Sequence, residues 1–389
     1  MNKKVQKIML GSVAFVAIPS IFYLLTYGTG GPSLPDVRDM IPIQTYTDAR
    51  IESESFIPEP KKREKAQERE VQAIYLTAST AADEARMNSF IEMIDATPLN
   101  AVIIDIKDFS GHVYFDTSVA MAHEIGAVKD TLKDIEALIE KLHEHDIYVI
   151  ARQVVFQDAF LATAHPEWAV QDSAGGVWRD WKGVTWVDTS REEVWEYNIK
   201  IAQDAVHLGF DEINFDYIRF PTDGPLSRMR FAHYDGTYGE KHLVVRRFFE
   251  AVHEALHDEP VYTSADLFGL VTIREDDMNI GQLIEDAAPY FDYIMPMMYP
   301  SHYPSGFYGF ENPAEHPYEI IKPGVERAVE RVAAVEGGRA KIRPWIQDFD
   351  IGAWYTREKV QAQIQAITDA GGYGYASWNA RNVYAQGDY

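Results

Sequence analysis

The sequence predicts an α/β fold, a closed (β/α)8 TIM barrel, on three observations. Eight short β-rich runs alternate with seven amphipathic stretches between residues 71 and 389. Strict alternation means a parallel sheet, because parallel strands need a crossover that is usually helical. The region is about 320 residues long, which suits eight βα units with loop insertions. No G-x-G-x-x-G run follows the first strand, which disfavours the other parallel architecture, a doubly wound open sheet.

The chain opens with Lys3, Lys4 and Lys7 ahead of an uncharged apolar run from Ile8 to Leu25. A basic flank before 18 uncharged residues reads as a short membrane span, and no small-residue cleavage site follows it. Residues 1–27 are therefore expected to be an uncleaved signal anchor with the barrel outside the cytoplasm. A cleaved signal peptide, and so a secreted barrel, is the alternative. Residues 28–70 are expected to be a linker and charged tether. They are rich in Gly and Pro over 28–40 and carry mixed charge over 61–70 (KKREKAQERE).

Residues 71–389 are expected to be the barrel. Strands are expected at 72–77, 101–107, 147–155, 212–218, 261–266, 292–299, 342–347 and 373–378, where short runs rich in β-branched and aromatic residues occur. Helices are expected near 82–96, 129–144, 191–208, 240–257, 280–288, 318–335 and 357–370, where the period is 3.6. About ten residues follow the last strand, so the last outer helix should be short or missing. Residues 41–70 are the candidate to fill that gap.

Composition narrows the function. Lys and Arg number 36 against 60 Asp and Glu, a net charge of −24. The first 70 residues hold 10 basic and 9 acidic side chains, so the barrel region holds 26 and 51, a net of −25. That acidity favours solubility and argues against nucleic acid as a partner. There is no cysteine, which excludes disulfides, thiolate metal sites and cysteine nucleophiles. No cofactor and no metal is expected.

In such a barrel one strand face packs on helices, and polar residues at the C-terminal end of the other build the active site. Ile213, Phe215 and Tyr217 form the apolar face of the fourth strand, so Asn214 and Asp216 should point inward. In the second strand Val102, Ile104 and Ile106 leave Asp105 and Lys107 inward. Arg152 ends the third strand, Asp266 the fifth, Tyr299 the sixth, Gln347 the seventh and Asn379 the eighth. Asp216 and Asp266 end neighbouring strands, and two carboxylates across a cleft can cleave a glycosidic bond. Asp216 is the candidate nucleophile or base and Asp266 the candidate acid, with Asp348 and Asp108 in the adjoining loops as reserve carboxylates. Asp105, Lys107, Arg152, Asn214, Arg219, Tyr299, Trp345, Gln347, Asp348, Trp378 and Asn379 are candidate substrate-binding residues. A salt-bridged cluster of Asp105, Lys107, Arg152 and Asp216 is the purely structural alternative. Five of the eight Trp lie between 168 and 195. Singly they are expected in a small core of that insertion, with Trp195 in the main core.

Six runs resemble one bacterial family: VIIDIKDFSGHVYFD (102–116), AHPEWAVQDSAGGVWRDWKGVTWVD (164–188), GFDEINFDYIRFPTDG (209–224), SADLFGLVT (264–272), MPMMYPSHY (295–303) and RPWIQDF (343–349). They are similar to the putative glycosyl hydrolase domain family over about residues 71–385. The resemblance implies a glycoside-hydrolase-like TIM barrel, often exported, and brings no substrate. Taken with the carboxylates and the export signal, the expected substrate is an envelope or extracellular polysaccharide. GFDEINFDYI also resembles the chitinase strand-four motif, with Ile218 where its acid Glu would stand. That argues against substrate-assisted chemistry. Amylase-like barrels pair a strand-four Asp with a strand-five carboxylate, which fits Asp216 and Asp266 better. A carbohydrate-binding module without turnover is the reading from another class. A third reading is the zinc-protease signature H-E-x-x-H at His253-Glu254-Ala255-Leu256-His257. It falls at the end of an outer helix with both His on the solvent side, a poor setting for a catalytic metal.

Overall fold

A computed structural model describes residues 63–237 and 239–389. Eight parallel strands form the barrel: β1 (Val71–Leu76), β2 (Ala101–Lys107), β3 (Tyr148–Val154), β4 (Glu212–Asp216), β5 (Tyr262–Phe268), β6 (Tyr293–Met297), β7 (Lys341–Ile342, resuming at Trp345–Gln347) and β8 (Gly374–Trp378). Neighbours in sequence are neighbours in the sheet, and β8 pairs with β1 to close it. β7 is broken at Arg343-Pro344. Pro344 has no N–H to donate, and its carbonyl still accepts from the Ala376 N–H at 3.0 Å.

The crossover helices are α1 (Glu84–Asp95), α2 (Ile135–Glu144), α3 (Glu192–Leu208), α4 (Lys241–Leu256), α5 (Ile284–Ala287), α6 (Pro317–Ala334) and α7 (Arg357–Asp369). Local signals mark their ends. Asp83 caps α1 by accepting from the Arg86 N–H, and Gly209 ends α3 with φ 109°. The helix expected over 280–288 shrinks to one turn. The stretch 129–144 becomes helical only from Ile135. Among the described residues after β8 there is a 3-10 turn, Gln386–Asp388, and no α-helix.

The strands divide two cores. Outward residues such as Ile104, Ile106, Ile213 and Phe215 pack on the helices. Val71, Ala73, Ile103, Ile150 and Ala376 fill the barrel interior. Deeper still, Arg343 and Glu212 are fully buried and paired at 2.9 Å. The Arg343 guanidinium lies 3.7 Å from the Tyr293 ring centroid, so the ion is stabilised by both charge and ring face.

Residues 63–70 run beneath the barrel. Arg63 donates to the Phe210 carbonyl and Asp211 at the foot of β4. The Tyr262 hydroxyl donates to the Ala66 carbonyl at 3.1 Å, and Lys341 pairs with Glu68 at 2.7 Å. The end of the charged tether thus covers the bottom face instead of filling the outer ring, because its cations and anions find partners at the strand starts. The expected signal anchor at 1–27 and the linker as far as residue 62 lie outside the described residues. Among the described residues no helix is long and apolar enough to cross a membrane.

Barrel closure depends on Gly374. It sits at φ +82° opposite Val71, and an added Cβ would lie 2.0 Å from the Val71 carbonyl oxygen. Gly374→Ala combines left-handed strain with a backbone clash. It should lower stability by about 2–4 kcal/mol, measurable as a drop in the urea midpoint.

Candidate active site

Strand register brings the polar residues to one level. Asp105 pairs with Arg152, Arg152 with Asn214, and Asn214 with Ser264 across β2, β3, β4 and β5. Asp216 and Asp266 stand two residues further toward the C-terminal mouth. Alternation turns all of these side chains inward except where a bulge intervenes.

One guanidinium organises three carboxylates. Arg152 donates through Nη1 to Asp105 Oδ1 at 2.6 Å and through Nη2 to Asp216 Oδ2. Its Nε lies 3.9 Å from Asp266 Oδ2 and has no hydrogen-bond partner. Asp266 Oδ1 accepts from Asn214 Nδ2 at 2.8 Å and Trp345 Nε1 at 2.7 Å. The Tyr75 hydroxyl donates to Asp105 Oδ2 at 2.5 Å. Asp216 Oδ1 accepts from the Tyr217 N–H at 2.6 Å. Tyr217 itself is held at φ 54°, a strained conformation of the kind found at functional sites.

The charges are unequal in environment. Burial and the neighbouring Asp216 charge push the Asp266 carboxyl well above the ordinary range, against the opposing pull of Arg152 and its hydrogen bonds. Burial also pushes Asp105 up, opposed by Arg152 and Tyr75. Burial pulls the Arg152 guanidinium down, but Asp105 and Asp216 outweigh it and hold it firmly charged. One cation cannot neutralise three anions, so the site favours keeping a proton on one carboxyl.

A cleft of about 570 Å³ opens above this cluster. Tyr75 and Trp378 stack at 4.0 Å between centroids and 21° between planes, with Trp345 edge-on to both. Of the sequence candidates, Asp216, Asp266, Asp105, Arg152, Arg219, Tyr299, Trp345 and Trp378 line this cleft.

Five do not. Lys107 is turned outward by an irregularity in the register between Asp105 and Lys107. It is fully buried, paired with Asp158 at 2.8 Å and bonded to the Val154 carbonyl. Asn214 is buried beneath the cleft and supports Asp266. Gln347 bridges two loops, accepting from the Ser301 N–H and donating to the Phe349 and Ile351 carbonyls. Asp348 accepts from the Tyr389 hydroxyl at 2.6 Å, and burial raises its pKa to about 6. Asn379 donates to the Asp348 and Val383 carbonyls. The last three lie where strands become loops, and there strict alternation ends.

The structure adds Tyr75, Phe109 and Tyr114 to the cleft wall, and the reserve carboxylate Asp108 lines it as well. Sorting the faces of β1 in the same way as the other strands points to Tyr75, which shares its side with Val71 and Ala73. Phe109 and Tyr114 follow β2 in a loop, beyond the reach of periodicity. The Trp-rich insertion does not form a separate small core: Trp178 and Trp186 are buried in the main core, Trp178 Nε1 donating to the Pro225 carbonyl, while Trp181 is exposed. His253 and His257 lie at the end of α4. Arg339 Nη2 approaches His253 Nδ1 at 3.3 Å, which sets a cation against that ring. Among the described residues no cluster of His, Asp and Glu could hold a metal.

A family model described as "Putative glycosyl hydrolase domain" matches residues 73–384. No curated protein matches the chain. Among solved structures, the PgaB (BpsB) glycoside hydrolase domain from Bordetella bronchiseptica is similar with a TM-score of 0.56 and 15% identity, over 79% of this chain and 94% of that one. Alpha-L-fucosidase isoenzyme 2 from Paenibacillus thiaminolyticus is similar with a TM-score of 0.54 and 14% identity, over 82% of this chain and 47% of that one. A hypothetical protein from Ruminiclostridium thermocellum ATCC 27405 is 36% identical over 50% of this chain and 96% of that one, with a TM-score of 0.46.

Proposed function

From the chain's membership of the putative glycosyl hydrolase domain family, we propose that it hydrolyses glycosidic bonds of an extracellular or envelope polysaccharide with Asp216 and Asp266. The observation that carries this reading is the unequal pair of carboxylates around Arg152. Asp216 is ion-paired and offers negative charge. Asp266 is buried and abuts a second negative charge, which holds its carboxyl well above the ordinary range and suits it to the role of donor.

Asp266 passes its proton to the glycosidic oxygen as the bond to C1 breaks. Asp216 meets the developing positive charge at C1, either attacking it or taking a proton from the attacking water. Water supplies the hydroxyl of the new reducing end. Arg152 and Asn214 hold the two carboxylates in place. Trp378, backed by the buried Tyr75 stacked on it, offers a flat apolar surface to a sugar ring, as aromatic side chains present a large rigid surface. The Lys-flanked apolar run at residues 8–25 supports export of the barrel to its polymer.

The ion cluster also fits a binding module that keeps the cleft without turnover, because Arg152 already satisfies two of the three carboxylates. Reducing-end release from a panel of bacterial and plant polysaccharides separates the two. Release by the enzyme is expected. Glycan binding with no release from any polymer would establish the binding module instead.

A further inference from the structure

A second cavity of about 350 Å³ adjoins the cleft, and the two share Phe268, Met297 and Tyr299 as a common wall. Its chemistry is different. The first holds carboxylates and a guanidinium. The second is walled by Phe268, Leu270, Met278, Met297, His302 and Tyr303, with no carboxylate or cation among its lining residues. Burial pulls the His302 imidazole down, so that it is neutral.

One wall residue is held in an unusual way. Met278 and Asn279 have φ values of 50° and 56°. The Ile280 N–H donates to the Asp277 carbonyl at 2.9 Å across them. Two consecutive positive φ values inside such a bond mark a type I′ turn, whose first central position favours Asn, Asp or Gly. A Met there is strained. The turn is braced: the Asn279 N–H donates to Asp277 Oδ1 at 2.8 Å, and Lys241 Nζ donates to the Asn279 carbonyl at 2.8 Å. The fold holds a costly residue in place, and its side chain faces the apolar cavity. Met is also the side chain that adapts best to an irregular apolar ligand.

We infer that this second cavity is a subsite for a sugar carrying an uncharged acetyl group, next to the ring held over the carboxylates. An unsubstituted ring would set hydroxyls against walls that offer few partners, which costs binding. An acetyl methyl buries apolar surface against Met278, Leu270 and Phe268. The inference rests on the reading of the cleft as glycan-binding, and it adds the substituent that the glycan must carry.

Calorimetric titration of the full chain tests it with two matched pairs of ligands. Chitotetraose and cellotetraose share a backbone and differ in 2-acetamido against 2-hydroxyl. O-acetylated and deacetylated xylotetraose form the second pair and distinguish N-acetyl from O-acetyl. In at least one pair the acetylated ligand should bind tenfold or more tighter. In Met278→Asn, whose side chain suits the turn, that ratio should fall at least fivefold while the thermal midpoint does not fall. Met278→Gly, also compatible with positive φ, repeats the test if the Asn variant does not fold. Ratios near one in both pairs, no binding of any of the four, or a ratio untouched in a folded variant would each overturn the inference. Hydrolysis with no acetyl preference removes this subsite alone. An acetyl preference without hydrolysis of any polymer removes the glycosidase reading and leaves the subsite standing.

Discussion

Asp216→Asn should lower reducing-end release about 10³-fold or more, with the barrel still folded. The substitution removes the negative charge that meets C1, and with it the nucleophile or base. Groups in such roles typically contribute 10²–10⁴-fold. The amide keeps nearly the same volume. Its oxygen can still accept from the Tyr217 N–H, and Arg152 keeps its bond to Asp105. No cation is therefore left alone in the barrel, the event that costs several kcal/mol when a buried pair is broken. Circular dichroism and the thermal midpoint check the fold beside the assay. A folded variant with wild-type release would remove Asp216 and the mechanism built on it.

Asp266→Asn should lose activity and gain stability together. The loss should be about 10²–10³-fold on natural glycans, whose leaving oxygen needs the proton, and much smaller on aryl glycosides with acidic phenols. The gain follows from linkage. The folded-state pKa of Asp266 is raised well above its unfolded value. Both states are protonated below the ordinary carboxyl range, near 4. As pH rises, the unfolded state releases its proton first, so the wild type loses stability until pH passes the raised folded value. Asn does not titrate and can still accept from Trp345 Nε1 and Asn214 Nδ2. At pH 7 the variant should be more stable by about 1–2 kcal/mol, and the difference should vanish toward pH 3. The wild-type rate should fall on the alkaline side as Asp266 ionises. A variant less stable than wild type at pH 7 would contradict the protonated state of Asp266.

How much was legible depends on how local each signal is. Ile213 and Phe215 alternate with Asn214 and Asp216 within five residues, so the inward face of β4 can be read from the sequence. The same rule fails at Lys107, because the strand irregularity between Asp105 and Lys107 has no sequence mark. One displaced residue sends a lysine from the cleft to Asp158 under the helices. Gln347 is the last residue of β7 and Asn379 lies just past β8, and hydrogen bonds to loop carbonyls decide where each side chain goes. The Met278 turn is harder still, since Met-Asn is not a turn signal and only the backbone shows the positive φ values.

The sequence by itself determined the alternating barrel, the acidic cysteine-free surface, and the placing of Asp105, Arg152, Asp216 and Asp266 at one mouth. Period and strand order are enough for these, because a closed parallel sheet leaves each strand end only one direction to face. Only the tertiary packing decides which carboxyl is pushed furthest above the ordinary range, which polar residues brace loops instead of facing the cleft, and where the apolar cavity lies. Those depend on desolvation and on distances between residues far apart in the chain, 52 positions for Asn214 and Asp266 and 64 for Arg152 and Asp216, and no local pattern encodes them.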